Sequence, residues 1–446
     1  MRRFITIVFL AMSLLITAPM AKAVTFLRDA EVERGLSELA RPILLAAGLN
    51  PSSVRIILID DENLNAFVID GRAIFIHSGL VMKLQRPEEL QAVIAHEAAH
   101  IANGHMTRRM TNFQNARLAS AISLGVAIAA GAAGADPDVA GGIAMGGNAS
   151  ARGVFLGHTR SEEASADESG VRYMVRAGVD PNGAVTLLEI FKDQEYVTSG
   201  RQNPYARTHP LSSDRYRRMQ GFAASYKGRI KPNPQAEAWF AIVQGKLSAF
   251  KRSPRWTLRR VGNKSDQVSV MRRAVAYHRQ PNTKRAISEI NRLVAVAPSS
   301  PYVHELKGQI LLESRQFQAA VNSYGKAVNL APNQPLILSG YGKALLALDT
   351  RDSVRKALPI LEKARSRDPY NPRVLRDLGV AYAKTGQRGM ASLVTAESYA
   401  LRGRLADAGI HAKRAADLLP NGSASARRAQ DILRASEGAK RQRNGG

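Results

Sequence analysis

Gln91-Ala-Val-Ile-Ala-His96-Glu97-Ala-Ala-His100-Ile-Ala-Asn-Gly104 is the stretch on which the reading of this chain turns. On an α-helix, residues four apart share a face one turn up, so His96 and His100 can aim two imidazoles at a single Zn²⁺ with Glu97 beside them. That spacing is the H-E-x-x-H pattern of zinc peptidases. The flanks support a helix. Pro87 suits a first helical position, Glu88 and Glu89 face the positive end of the dipole, and Leu90, Val93, Ile94 and Ile101 recur at helical spacing to bury one side. His105 is expected to be a polar helix end and not a ligand. On a continued helix it would sit about 140° round from His100, and the Gly-x-x-His extension of metzincins is missing, with Asn103 and Met106 in those places.

Upstream, Leu27, Val32, Leu36, Leu39 and Ile43 predict an amphipathic helix from Val24 to about Leu45, and Val54 to Ile59 predicts a strand. Two β-rich runs between Asn65 and Leu80 are joined by Asp70-Gly71, a strong hairpin signal. The first run, through Asn65, Ala66 and Phe67, has two readings: an ordinary sheet strand, or an edge to which an extended substrate adds its backbone. His77 reads as structural or as cleft lining.

A zinc site built for catalysis needs a third protein ligand. Arg160-Ser-Glu162-Glu163-Ala-Ser-Ala166-Asp167-Glu168-Ser-Gly170 offers one on a second helix, with Glu163 on the metal and Asp167 one turn later accepting a proton from a ligand imidazole. Taken alone, such a run of acids is a solvated face. Between the two motifs, Leu118 to Gly134 and Val139 to Gly147 are rich in Ala and Gly and almost uncharged. The segment 118–147 is expected to be a small-residue helical cover, with insertion into a membrane as the rival reading, since small residues contribute little apolar area for spanning.

His96-Glu97-x-x-His100, Glu163-x-x-Ala166-Asp167 preceded by Arg160, and Thr208-His209-Pro210 with Arg215 together resemble the zinc endopeptidases that include HtpX and the CAAX prenyl protease. The exported, BepA-like branch with C-terminal repeats is the nearest in pattern, and the resemblance runs from about Val24 to Gln220. It implies a gluzincin site with one Zn²⁺ per chain and Glu163 as third ligand. It further implies that His209 and Arg215 lie near the metal and assist the tetrahedral intermediate, or that His209 fills the fourth zinc position in a latent state. The acidic motif here lacks the second acid that many members carry before the alanine. Glu162 and Glu168 are therefore rival acids, and His158 is a rival ligand.

Beyond about Lys231 a repeat takes over. Pro298 and Pro332 are 34 residues apart, and Gly308, Leu311, Ala320, Tyr324 and Ala327 fall at tetratricopeptide positions between them. Gly342, Leu345, Ala357, Leu361, Ala364 and Pro369 mark the next unit, Leu375, Leu378, Gly379, Tyr382, Gly386 and Ala391 another. Tyr277, Ala286 and Pro298 mark a weaker unit ahead of them, and Ala408, Ala412, Ala415 and Pro420 a terminal one. The expected architecture is an α+β zinc-peptidase domain, mainly helical with a small sheet and an edge strand, followed by an all-α tetratricopeptide-repeat domain. The expected spans are a signal peptide at 1–23, the peptidase at 24–230, the repeats at 231–437 and a disordered basic tail at 438–446.

The signal peptide rests on Met1-Arg2-Arg3, the apolar run Phe4 to Ile16 and the small-residue site Ala21-Lys22-Ala23. The sequence has no cysteine, which excludes disulfides and fits export to a bacterial periplasm. The net charge of +26 first suggests nucleic acid, but the basic residues are spread along the chain with few aromatics interleaved, and no nucleic-acid partner is expected. Anionic envelope surfaces, through peripheral membrane contact, and acidic clients fit better, beside the plain reading of a soluble basic protein. The function expected is a periplasmic zinc endopeptidase acting on misfolded or misassembled envelope proteins, whose repeats recruit clients or contact outer-membrane assembly machinery. A repeat-based chaperone or scaffold with latent proteolysis is the alternative, and a small-molecule amidase a third reading that the edge strand and the repeats disfavour.

Overall fold

The computed structural model describes residues 25–69, 71–108, 159–197, 209, 213–226 and 230–444. The expected leader, the segment 118–147, His158, Thr208 and Pro210 lie outside them. Strands β1 (Phe26–Leu27), β2 (Arg55–Ile59), β3 (Ala66–Val68) and β4 (Ala73–His77) form one sheet in the order β1-β2-β4-β3. β2 and β4 run parallel, while β1 and β3 are antiparallel to their neighbours. The hairpin between β3 and β4 is where the sequence puts it, with Gly71 at φ 75°, a left-handed value that glycine takes without steric cost.

Alternation along the strands turns Ile56, Leu58, Ile74 and Ile76 to one face, where they share a core with Leu36, Leu39 and Ile43 of α1 (Ala30–Ala46). Leu90, Val93 and Ile94 of α3 (Pro87–Ala102) complete that layer, after the short helix α2 (Ser78–Lys83). Helix α1 starts six residues later than its periodicity suggests. The Asp29 carboxylate accepts from the backbone N–H groups of Glu31 and Val32 at 3.0 and 2.9 Å, which fixes the cap there, and Phe26 and Leu27 pair with β2 instead.

Helices α4 (Arg160–Arg176), α5 (Asn182–Val197) and α6 (Ser213–Ala224) close the first half of the chain. Thr159 and Glu162 form a reciprocal cap on α4, with Oγ1 of Thr159 accepting from Glu162 N at 3.2 Å and Glu162 Oε2 accepting from Thr159 N at 3.0 Å. Glu168 pairs with Arg172 on the surface at 2.8 Å. Glu162 thus caps its own helix, and Glu168 pairs along it.

Twelve helices follow among the described residues: α7 (Pro234–Lys251), α8 (Pro254–Val261), α9 (Gln267–Arg279), α10 (Thr283–Val296), α11 (Pro301–Glu313), α12 (Phe317–Leu330), α13 (Pro335–Leu348), α14 (Arg351–Arg367), α15 (Pro372–Lys384), α16 (Arg388–Leu401), α17 (Leu405–Leu418) and α18 (Ala424–Asn444). From α9 on they stack as repeat pairs, each packed on the next. Glycine is a steric requirement in this stack: a Cβ on Gly308 or Gly340 would lie 2.6 or 2.4 Å from the Tyr324 ring that sits between them. The stretch from 438, expected to be a disordered tail, instead continues α18 to Asn444. Its Ala, Lys, Arg and Gln residues are good helix formers and prolong a helix already nucleated by packing.

Helix α7 serves both halves. Phe240, Val243 and Leu247 belong to the core that holds the sheet and Ala249 to the first repeat core. Beside them Lys246, 1% exposed, places its Nζ 3.0 Å from Asp29, 3.1 Å from Glu31 and 3.9 Å from Glu305 of α11. Arg28 reaches Asp368, in the turn after α14, at 2.8 Å. Ala30 packs against Ala327 and Ile337, so the first turn of α1 is seated against the repeats.

Burial, reinforced by Asp29 and Glu31 and opposed by Lys246, pushes the Glu305 carboxyl up to about 8. A carboxyl whose folded pKa exceeds its unfolded value keeps its proton in the folded chain after the unfolded chain has lost it, so its contribution to stability falls as pH rises between the two values. Wild type is therefore expected to lose stability between about pH 4.5 and about pH 8 more steeply than Glu305→Gln, compared by denaturant midpoints. Parallel pH profiles for the two proteins would remove Glu305 from this account.

Candidate metal centre

Helix α3 is buried from Leu90 to His100 and bears His96, Glu97 and His100 on successive turns. Its C-cap Asn103 donates its amide to Ser165 Oγ of α4 at 3.1 Å, which ties the two metal-motif helices together at one end. Helix α4 presents Glu163 and Asp167, one turn apart and both buried. Arg215 comes from the first turn of α6, and His209 is 1% exposed.

These side chains converge. His96 Nε2 lies 3.1 Å from His100 Nε2 and 3.4 Å from Glu163 Oε2, and His100 Nε2 lies 3.3 Å from Glu163 Oε1. His209 Nδ1 is 3.2 Å from His96 Nε2 and 2.9 Å from Glu163 Oε1. A tetrahedron of ligands at the zinc distances of about 2.0–2.1 Å has edges of roughly 3.3 Å. The observed separations of 2.9 to 3.4 Å match those edges. Three imidazole nitrogens and one carboxylate suit zinc, whereas calcium prefers six or more oxygens at longer range. The donor set thus fits zinc, one ion per chain, and His96, His100, Glu163 and His209 form the single such cluster among the described residues.

The electrostatics call for positive charge at this point. Burial works against an imidazolium, yet the Glu163 and Asp167 carboxylates push the His96 imidazole up to about 10. His100 goes the other way: burial, together with its neighbours His96 and His209, holds it well below the usual range. Burial would raise the Glu163 carboxyl, but His209 and His96 overcome it and keep it well below the ordinary carboxylate value. A buried anion surrounded by ring nitrogens is satisfied by a shared cation.

The next layer orients these groups. Asp167 Oδ1 faces His96 Nδ1 at 3.1 Å. Arg215 grips Asp167 with Nε at 2.7 Å and one terminal nitrogen at 2.8 Å, and puts the other 2.8 Å from Glu163 Oε2. Its guanidinium is thus engaged by the two acids, where the resemblance implies a donor to the reacting oxygen. Glu97 is not in the ligand cluster; its Oε1 lies 3.5 Å from His209 Nε2, on the side of that ring away from the other ligands.

β3 packs against α3, and among the described residues no strand pairs with its outer side. His77 N donates to Asn65 O at 2.9 Å, so Asn65 and, two residues on, Phe67 turn their backbone groups toward β4. The outward groups belong to Ala66 and Val68. The sequence singles out Asn65, Ala66 and Phe67, and misses Val68. Phe67 stacks on Phe75 with ring centroids 5.3 Å apart and meets the edge of His77.

His105 departs most from expectation. It is 1% exposed, not a polar helix end, and its Nδ1 lies 2.9 Å from His100 Nδ1. A continued helix would carry His105 about 140° round from His100. Instead α3 stops at Ala102 and Gly104 adopts φ 69°, which folds His105 back under His100. The signal was present in Asn103-Gly104, a helix-stop pair.

No helix among the described residues is long and apolar enough to cross a membrane. The family model for peptidase family M48 matches residues 27–223. A putative beta-barrel assembly-enhancing protease of Vibrio cholerae serotype O1 is 30% identical over 196 residues, 42% of this chain and 38% of that one. The beta-barrel assembly-enhancing protease of Yersinia pestis is 26% identical over 372 residues, covering 80% of this chain and 74% of that one. The mitochondrial metalloendopeptidase OMA1 of Schizosaccharomyces pombe is 29% identical over 185 residues, 42% of this chain and 51% of that one.

Proposed function

From a first half that is a peptidase family M48 metalloendopeptidase domain, we propose that this chain is a periplasmic zinc endopeptidase that cleaves misfolded or misassembled envelope proteins, its repeats recruiting them. The observation that carries the reading is the buried convergence of His96, His100 and Glu163 with Glu97 beside them. The relatives named for beta-barrel assembly suggest clients on the route to the outer membrane.

A bound zinc ion supplies Lewis acidity, lowering the pKa of water and polarising a peptide carbonyl. Glu97 takes the proton of the attacking water and delivers it to the leaving amine. Asp167 accepts from His96 Nδ1 and holds that ring in the tautomer that leaves Nε2 a lone pair. Arg215 fixes both Asp167 and Glu163, and we assign it to positioning. Ala66 and Val68 offer backbone groups to an extended substrate, which selects conformation more than sequence and suits a protease for unfolded clients.

His209 favours a second state of the same enzyme. With Nδ1 at 2.9 to 3.2 Å from Glu163 and His96, it takes the fourth place that a substrate or water would need. We propose that this closed arrangement is latent and that a client displaces His209. This also keeps the chaperone reading open, since a closed site leaves the repeats to act alone. His209→Ala is expected to raise casein cleavage by roughly tenfold where closed outweighs open ten to one, with zinc still bound. A fall in kcat of about 10²-fold or more would instead make His209 a donor to the reacting oxygen.

A further inference from the structure

The two imidazoles on α3 are held by different kinds of partner. His96 Nδ1 faces a carboxylate, Asp167 Oδ1, at 3.1 Å. His100 Nδ1 faces another imidazole, His105 Nδ1, at 2.9 Å, with the rings 5.0 Å apart and tilted 68°. For His100 to present a lone pair at Nε2, its one ring proton must sit on Nδ1. That N–H is buried and points at His105, so His105 must meet it as a neutral ring with its own Nδ1 bare and its proton on Nε2. His105 cannot itself join the metal cluster, because it touches the nitrogen of His100 on the opposite side of the ring from the ligand atom.

We propose that His105 is a positioning residue for the metal: it fixes the tautomer and the plane of His100, and does so as a neutral acceptor. The inference rests on the zinc reading above. The choice of a neutral partner has a chemical consequence. Glu163 and Asp167, with Glu97 beside them, already bring three negative charges to the centre, against one from Arg215. A second carboxylate behind His100 would enrich the ligand further and weaken the Lewis acidity of the ion, whereas an imidazole orients the ring without adding charge.

The test uses the full chain and reads metal affinity in place of turnover. Zinc is titrated in competition with a chromogenic chelator into wild type, His105→Ala and His105→Asn, and the visible absorption of the Co²⁺-substituted proteins is recorded. His105→Ala is expected to bind zinc about 10–100-fold more weakly and to shift the cobalt bands. His105→Asn, whose side-chain oxygen is a neutral acceptor near the place of Nδ1, is expected to recover most of the affinity and the wild-type spectrum. Should His105→Ala fail to fold, His105→Asn decides alone, and a loss of tenfold or more there overturns the proposal. Zinc binding by His105→Ala within twofold of wild type overturns it too, as does His105→Asn binding no better than His105→Ala. A wild type that binds no zinc would instead refute the metal reading itself, which the titration of that protein reports separately.

Discussion

Glu97→Gln is expected to lower kcat on an unfolded protein such as casein by about 10²–10⁴-fold while leaving zinc at one ion per chain. The two halves of that result come from different facts. Glu97 is 1% exposed and directly follows His96, and in the role proposed for it the amide that replaces it can neither take nor return a proton. Its oxygens are not among the clustered ligand atoms, which belong to His96, His100, Glu163 and His209, and the metal therefore loses no donor. Zinc analysis and proteolysis of one purified sample check both halves. Undiminished proteolysis would remove Glu97 from the chemistry; loss of zinc together with activity would make it a structural support of the site.

Lys246→Met carries the largest effect expected on stability. The ammonium is the shared partner of Asp29, Glu31 and Glu305 within 3.0 to 3.9 Å. Burial would lower its pKa, but the Asp29 and Glu31 carboxylates, joined by Glu305 where it is ionised, prevail and hold it well above the ordinary lysine value. Removing one partner of a buried ionic group strands the others in a poor solvent for charge, at a cost of roughly 3–5 kcal/mol. The denaturant midpoint should fall accordingly, and hydrogen exchange should quicken in the first turn of α1 and in α11, the two elements the lysine joins. Adding Glu31→Gln and Glu305→Gln to the same chain should restore part of the loss. A cost below about 1 kcal/mol would mean that water reaches the joint and screens it.

The parts legible in the sequence were those set by short-range periodicity. His96 and His100 are fixed by one helical turn, Glu163 and Asp167 by another, and Tyr324 and Gly308 by a 34-residue repeat. The structure brings both helical motifs to one point, with His209 beside them. What the sequence hid depends on chain reversals and distant contacts. His105 was set aside because a helix was continued through Gly104, where the backbone is left-handed. For Arg215 the resemblance implies help to the tetrahedral intermediate, and its bond to Asp167, across 48 residues, has no local signal. Lys246 has no local pattern at all: it is an ordinary lysine on α7 until α1 and α11 arrive from either side. Only the final turns of α18 depart from the expected tail, because charge density hides the helix propensity of residues 438–444.

Because α7 lends its first four turns to one core and its last to the next, the two halves of this protein are not separable cartridges. Ending the chain near 230 would strip Phe240, Val243 and Leu247 from the peptidase and leave an apolar groove along α1 open to water. Any exchange of repeat arrays between relatives, by engineering or by recombination, would have to transplant α7 whole and keep Asp29 and Glu31 to receive it. Client preference and catalysis should therefore travel together through such exchanges, as one inherited unit.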